Sequence, residues 1–140
     1  MKTLILAIAL CSLPATAATN LTCTSTGTGG DLKIALTAQS GLDRVGAPLG
    51  IQADGILHTH FDAVVDKVVE CSDQELVIDV TTLVGGAVTP DSGQATITLS
   101  RQGGTGKIEL TKFPKVKPPL RLMKTYKLTD CHGSFLRNSP

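Results

Sequence analysis

The stretch ATITLSRQGGTGKIELTK, residues 95–112, alternates apolar and polar side chains on both sides of Gly103 and Gly104. A period of two marks a strand that buries one face, and a glycine pair between two such runs marks a hairpin turn. A two-residue turn at these glycines sets Leu99 opposite Ile108 and Ile97 opposite Leu110 on one face. Ser100 then faces Lys107 and Thr98 faces Glu109 on the other. Two independent strands agree on one apolar side, so the chain is read as a β protein.

Working outward, Asp54 and Gly55 form a second turn pair, which sets Ala53 opposite Ile56, Ile51 opposite His58 and Leu49 opposite His60. A third turn at Asp73 and Gln74 pairs Cys71 with Leu76 and Val69 with Ile78. There the reading is contested. Phe61, Val64, Val65, Val68 and Val69 also recur at helical spacing behind Asp62 as a cap, so a short helix near 62–70 competes with the strand. The β-branched residues in that run favour the strand. Further strands are expected at 21–25, 32–38 and 122–129, separated by glycine-rich breaks. The expected fold is mainly β, a single antiparallel β-sandwich or barrel of about eight strands.

The first residues have a different character. A basic Lys2, an apolar run over 4–13 and the small residues Ala15, Thr16, Ala17 and Ala18 read as a secretory signal peptide over 1–17, followed by an exported β domain over 18–140. The expected location is periplasmic or extracellular. The apolar run is far short of the roughly 20 residues that span a bilayer, and no later segment reaches that length, so no transmembrane segment is expected.

Past this leader the acidic and basic residues balance, and aromatics are few, which argues against a nucleic-acid binder. The charges are unevenly placed. Residues 31–91 hold ten acids and three bases, whereas residues 101–140 hold nine bases and two acids. The basic half centres on Lys115, Lys117, Arg121 and Lys124, interleaved with Pro114, Pro118 and Pro119. Proline forbids a regular helix there, and an extended basic loop suits a protein or anionic envelope partner such as polymer or lipid.

Cys23, Cys71 and Cys131 lie far apart and form no Cys-x-x-Cys pair, which fits a disulfide of an exported protein better than zinc or redox chemistry. Three single-bridge pairings are open. Strand parity puts Cys23 on the face of Leu21 and Cys71 on the apolar face of the third hairpin, which leans toward a Cys23–Cys71 bridge with Cys131 as the odd thiol.

The densest chemical grouping is His58, His60 and Asp62. Residues two apart on a strand point the same way, so two imidazoles and a carboxylate would share a face as a donor set for zinc or copper, with His132 as a fourth ligand if the C-terminal segment folds back. The expected register also puts these histidines on the face of Leu49, Ile51 and Ala53, where they would be half-buried core residues. No Gly-x-Ser-x-Gly elbow surrounds Ser134, and Gly27, Gly29 and Gly30 precede no Gly-Lys-Ser/Thr, so no catalytic signature emerges. The chain is therefore read as non-enzymatic and without a cofactor, acting by binding or by association with the envelope. Metal binding through His58, His60 and Asp62 is one alternative, and service as a structural or accessory subunit of a surface assembly is another.

Overall fold

The computed structural model describes residues 21–25, 33–38, 41–54, 58–101, 103–117, 120 and 122–132. The expected signal peptide lies outside them, as do Leu32, Ile56, Arg121 and Ser134.

Among the described residues eight strands follow one another: β1 (Leu21–Ser25), β2 (Lys33–Ala38), β3 (Pro48–Asp54), β4 (His58–Cys71), β5 (Glu75–Leu83), β6 (Gln94–Ser100), β7 (Gly106–Lys112) and β8 (Thr125–His132). Each pairs antiparallel with the next, and β8 pairs back onto β1, closing the sheet into a barrel. Of the sandwich and the barrel that the sequence left open, the barrel forms. Closure leaves none of these eight strands at an edge. The short helix considered near 62–70 does not form, because the whole segment belongs to β4, whose β-branched side chains suit a pleated surface better than a helix.

The alternation read from sequence appears as an inside and an outside. Ile34 and Leu36 of β2, Leu76, Ile78 and Val80 of β5, and Ala95, Ile97 and Leu99 of β6 are buried within the barrel. Gln52, Asp54, Asp79, Thr96, Lys107 and Lys127 take the intervening positions on the outside. Each fully buried Leu or Ile contributes roughly 1.5–3 kcal/mol relative to an exposed one. An apolar interior with a polar exterior is the reverse of the barrels that cross bilayers with strands. No helix among the described residues is long and apolar enough to cross a membrane.

Register decides which side chains point inward. In the β6–β7 hairpin Leu99 lies opposite Gly106, Ile97 opposite Ile108 and Ala95 opposite Leu110, because the chain takes four residues to turn rather than two. The slip from the expected register is two residues, so every face is kept. In the β3–β4 hairpin three residues lie between Asp54 and His58, and Ala53 pairs with Thr59, Gln52 with His60 and Ile51 with Phe61. That slip is odd, so it moves His58 and His60 from the expected core face to the outside. In β4, Cys71 does pair with Leu76, but irregularities between Val65 and Lys67 and between Val68 and Glu70 bring Val68 opposite Ile78. Val69, expected there, is exposed.

The seam between β1 and β8 carries a disulfide between Cys23 and Cys131, whose Cα atoms are 4.1 Å apart. This corrects the expected Cys23–Cys71 bridge. Simple alternation from Tyr126 and Leu128 would turn Asp130 inward and Cys131 outward. Between Thr22 and Thr24 the register shifts by one extra residue on β8, and Asp130 adopts a left-handed φ of 50°. The bulge rotates Cys131 into the interior, where it is buried beside the buried Cys23. Cys71 lies at the far end of β4, half-buried, with Arg101 Nη2 donating to its sulfur at 3.3 Å.

The two ends of the barrel differ. At the end formed by the start of β1 and the finish of β8, the β2–β3 connection folds inward. Leu42 is fully buried and Ala47 nearly so, with Gly46 N and Val65 N donating to Val65 O and Ala47 O at 2.8 and 3.0 Å. Leu42 acts as a plug, packed in one core with Leu21, Leu76 and Leu99. The opposite end has no such plug among the described residues, and its inward side chains Ile51, Phe61, Leu110 and Leu122 are only half-buried.

Candidate functional site

A small apolar pocket that opens to solvent occupies the end opposite Leu42. Ile34, Ile51, Phe61, Val80, Ile108 and Leu110 line it from five strands, and Tyr126 closes one side from β8. Space remains because the inward positions at this end are partly small: Gly93 and Ala95 stand where a larger residue would fill the bore. An eight-stranded barrel is just wide enough for side chains or one small ligand, so small residues decide which of the two it holds.

The connections at this end shape the mouth. Thr82 N donates to Gly93 O at 2.9 Å, and Gly93 N donates to the Thr82 hydroxyl at 2.7 Å. A Cβ on Gly93 would lie 2.8 Å from Pro114 Cδ, so only glycine lets the β5–β6 connection pack this closely on the β7–β8 connection. Lys115 N donates to Asp91 O, and Lys112 Nζ to Pro90 O, both at 3.0 Å. These contacts hold Pro114 and Leu122 as one lip of the pocket. Two hydroxyls of the wall are engaged within the protein: the Thr82 hydroxyl accepts from Gly93 N, and the Tyr126 hydroxyl accepts from Met123 N at 2.8 Å. The space therefore presents hydrocarbon. Such a lining suits a small apolar molecule.

Of the residues singled out from sequence, Lys115, Lys117 and Lys124 are exposed on the β7–β8 connection at this same end, and Arg121 lies outside the described residues. His58, His60 and Asp62 do share one face, but it is the outer face of the barrel. His58 Nδ1 lies 2.5 Å from Asp54 Oδ1 and His60 Nε2 lies 3.0 Å from Asp62 Oδ1, with His58, His60 and Asp62 exposed and Asp54 half-buried. Gly50 makes room for the second pair, since a Cβ there would approach His60 Cε1 to 2.9 Å. His132 is not near them. It ends β8 opposite Thr22, at the plugged end, whereas His58 and His60 begin β4 at the open end. Among the described residues no three His, Cys, Asp or Glu side chains come together as a metal-ligand group.

The pocket was not legible as a site from sequence. Ile34, Ile51, Phe61, Ile108 and Leu110 alternate like any core residues, and only an open end distinguishes a lining from a core. The available signal was the smallness of Ala95 opposite Leu110, which is meaningful only once the register is known. Comparison with protein-family models, with curated proteins and with solved structures finds no match to this chain.

Proposed function

We propose that the protein is an exported, non-enzymatic binding protein that holds a small apolar molecule in the open end of its barrel. The observation that carries this reading is the hydrocarbon-lined pocket between Phe61, Leu110 and Tyr126 at one end of a barrel whose other end is plugged by Leu42. Ligand pockets are concave, largely apolar and commonly found in the mouths of β-barrels, as this one is. The driving force is removal of apolar surface from water, roughly 25 cal/mol for each Å² buried. A wall built from paired strands adds little ordering cost on binding. Export is supported by the Cys23–Cys131 bridge, which suits an oxidising compartment, together with the sequence pattern over residues 1–17.

The test is a titration with the neutral fluorophore phenylnaphthylamine, which brightens in apolar surroundings. The chain has no tryptophan, so the signal is free of interference. Saturable binding by the wild-type protein, weakened roughly tenfold or more by Ala95→Leu, is expected, because Leu would fill the bore. Equal binding by a folded Ala95→Leu variant, or no saturable binding by the wild type, contradicts the reading.

A further inference from the structure

Most of the large apolar side chains that the described residues leave in water lie at one end of the molecule. Val84 and Val88 on the β5–β6 connection and Phe113 on the β7–β8 connection are 43, 59 and 48% exposed. These two connections are joined to each other by the Lys112–Pro90 and Lys115–Asp91 hydrogen bonds and by the packing of Gly93 on Pro114. These two connections are basic, while the β3 and β4 strands at the same end carry Asp54 and Asp62 on their outer face. From Leu110 to Thr129 the chain has six basic residues and no acid, and the facing stretch 84–93 adds one acid, Asp91. Lys112, Lys115, Lys117 and Lys124 are all exposed.

Scattered exposed apolar residues need no explanation, but apolar loop tips set among lysines beside an open pocket do. A folded protein surface would cover the apolar tips yet desolvate several lysines. An anionic bilayer accepts both at once: the apolar tips enter the interfacial region while the lysines stay among the phosphates, with stems lying along the surface. We propose that the open end of the barrel docks on an anionic lipid surface through Val84, Val88 and Phe113, with Lys112, Lys115, Lys117 and Lys124 against the headgroups. Docking in this pose points the mouth of the pocket at the bilayer. The inference stands on these exposed residues alone and does not depend on what the pocket holds.

The experiment is co-sedimentation of the purified protein with phosphatidylglycerol vesicles and with phosphatidylcholine vesicles, at low and high salt. Expected is binding to the anionic vesicles only, lost at high salt, and weakened roughly fivefold for each lysine changed to glutamine. Val88→Ser with Phe113→Ser is expected to weaken it about tenfold or more. Val45→Ser is the control, because Val45 is 68% exposed but sits on the β2–β3 connection at the plugged end, and its change should leave binding as it was. All these positions are exposed, so an unchanged melting temperature certifies folding. The proposal is overturned by no preference for the anionic vesicles, by equal loss in the Val45→Ser control, or by binding that survives the Val88→Ser, Phe113→Ser change. Binding to an acidic polypeptide in place of the vesicles overturns it equally, in favour of a protein partner.

Discussion

Replacing both Cys23 and Cys131 by alanine removes the covalent tie across the only pairing that joins the first strand to the last. The bridge spans a sequence separation of 108 residues. In the chain-entropy description, closing a loop of that length removes about 16 cal/mol/K from the unfolded ensemble, or about 4.8 kcal/mol at room temperature. Small domains are stable by about 5–15 kcal/mol in all, so this one bridge amounts to a third or more of the margin. At an unfolding entropy of roughly 2.1 cal/mol/K per residue over the barrel, the loss lowers the melting temperature by about 20 °C. The assay is urea and thermal unfolding of the oxidised wild type and the double variant. The variant should unfold earlier and show a larger urea dependence, because the untethered unfolded chain exposes more surface. A variant that melts within a few degrees of the oxidised wild type would refute the reasoning that the seam depends on its crosslink.

Other consequences can be checked individually. Asp130→Gly should hold or slightly raise stability, whereas Asp130→Val should lower it by about 1–2 kcal/mol in urea unfolding, since a β-branched residue resists the left-handed conformation that turns Cys131 inward. Gly106→Ala should cost about 2 kcal/mol or more by thermal unfolding, because the added Cβ meets the carbonyl oxygen of Thr98 across the β6–β7 pair. Gly93→Ala should weaken phenylnaphthylamine binding while changing the melting temperature far less than loss of the bridge, since it pushes on Pro114 at the lip rather than on the core. His60→Ala should change stability by less than about 0.5 kcal/mol, because its aspartate contact is exposed on the outer face; a larger, zinc-dependent change would point to a shared metal role.

The strands were legible because alternation is a local signal: Leu21–Ser25 coincides with its expected bounds, and Ile97 and Leu99 turn inward as their pattern requires. What alternation does not carry is the number of residues consumed by a turn. At Gly103 and Gly104 the miscount was even, and nothing changed sides. At Asp54 it was odd, and two histidines moved from an expected core face to water, taking with them the half-buried reading of His58 and His60. A bulge has the same effect inside a strand, which is why Cys131 was misplaced as the odd thiol and Val68 rather than Val69 meets Ile78. Closure into a barrel, and with it the difference between a plugged and an open end, depends on pairing between residues more than a hundred positions apart. The basic segment around Lys115, Lys117 and Lys124 was visible as composition, but its place beside the pocket was not.

The most direct measurement of whether the barrel is a binding protein is a methyl NMR titration with phenylnaphthylamine. Resonances of Ile34, Ile51, Ile108, Leu110 and Leu122 line the open end, and those of Leu21, Leu42, Leu76 and Leu99 report on the plugged one. Saturable shifts confined to the first group are predicted. Shifts spread over both groups, or none at concentrations that saturate the fluorescence, would contradict a binding site in the mouth of the barrel.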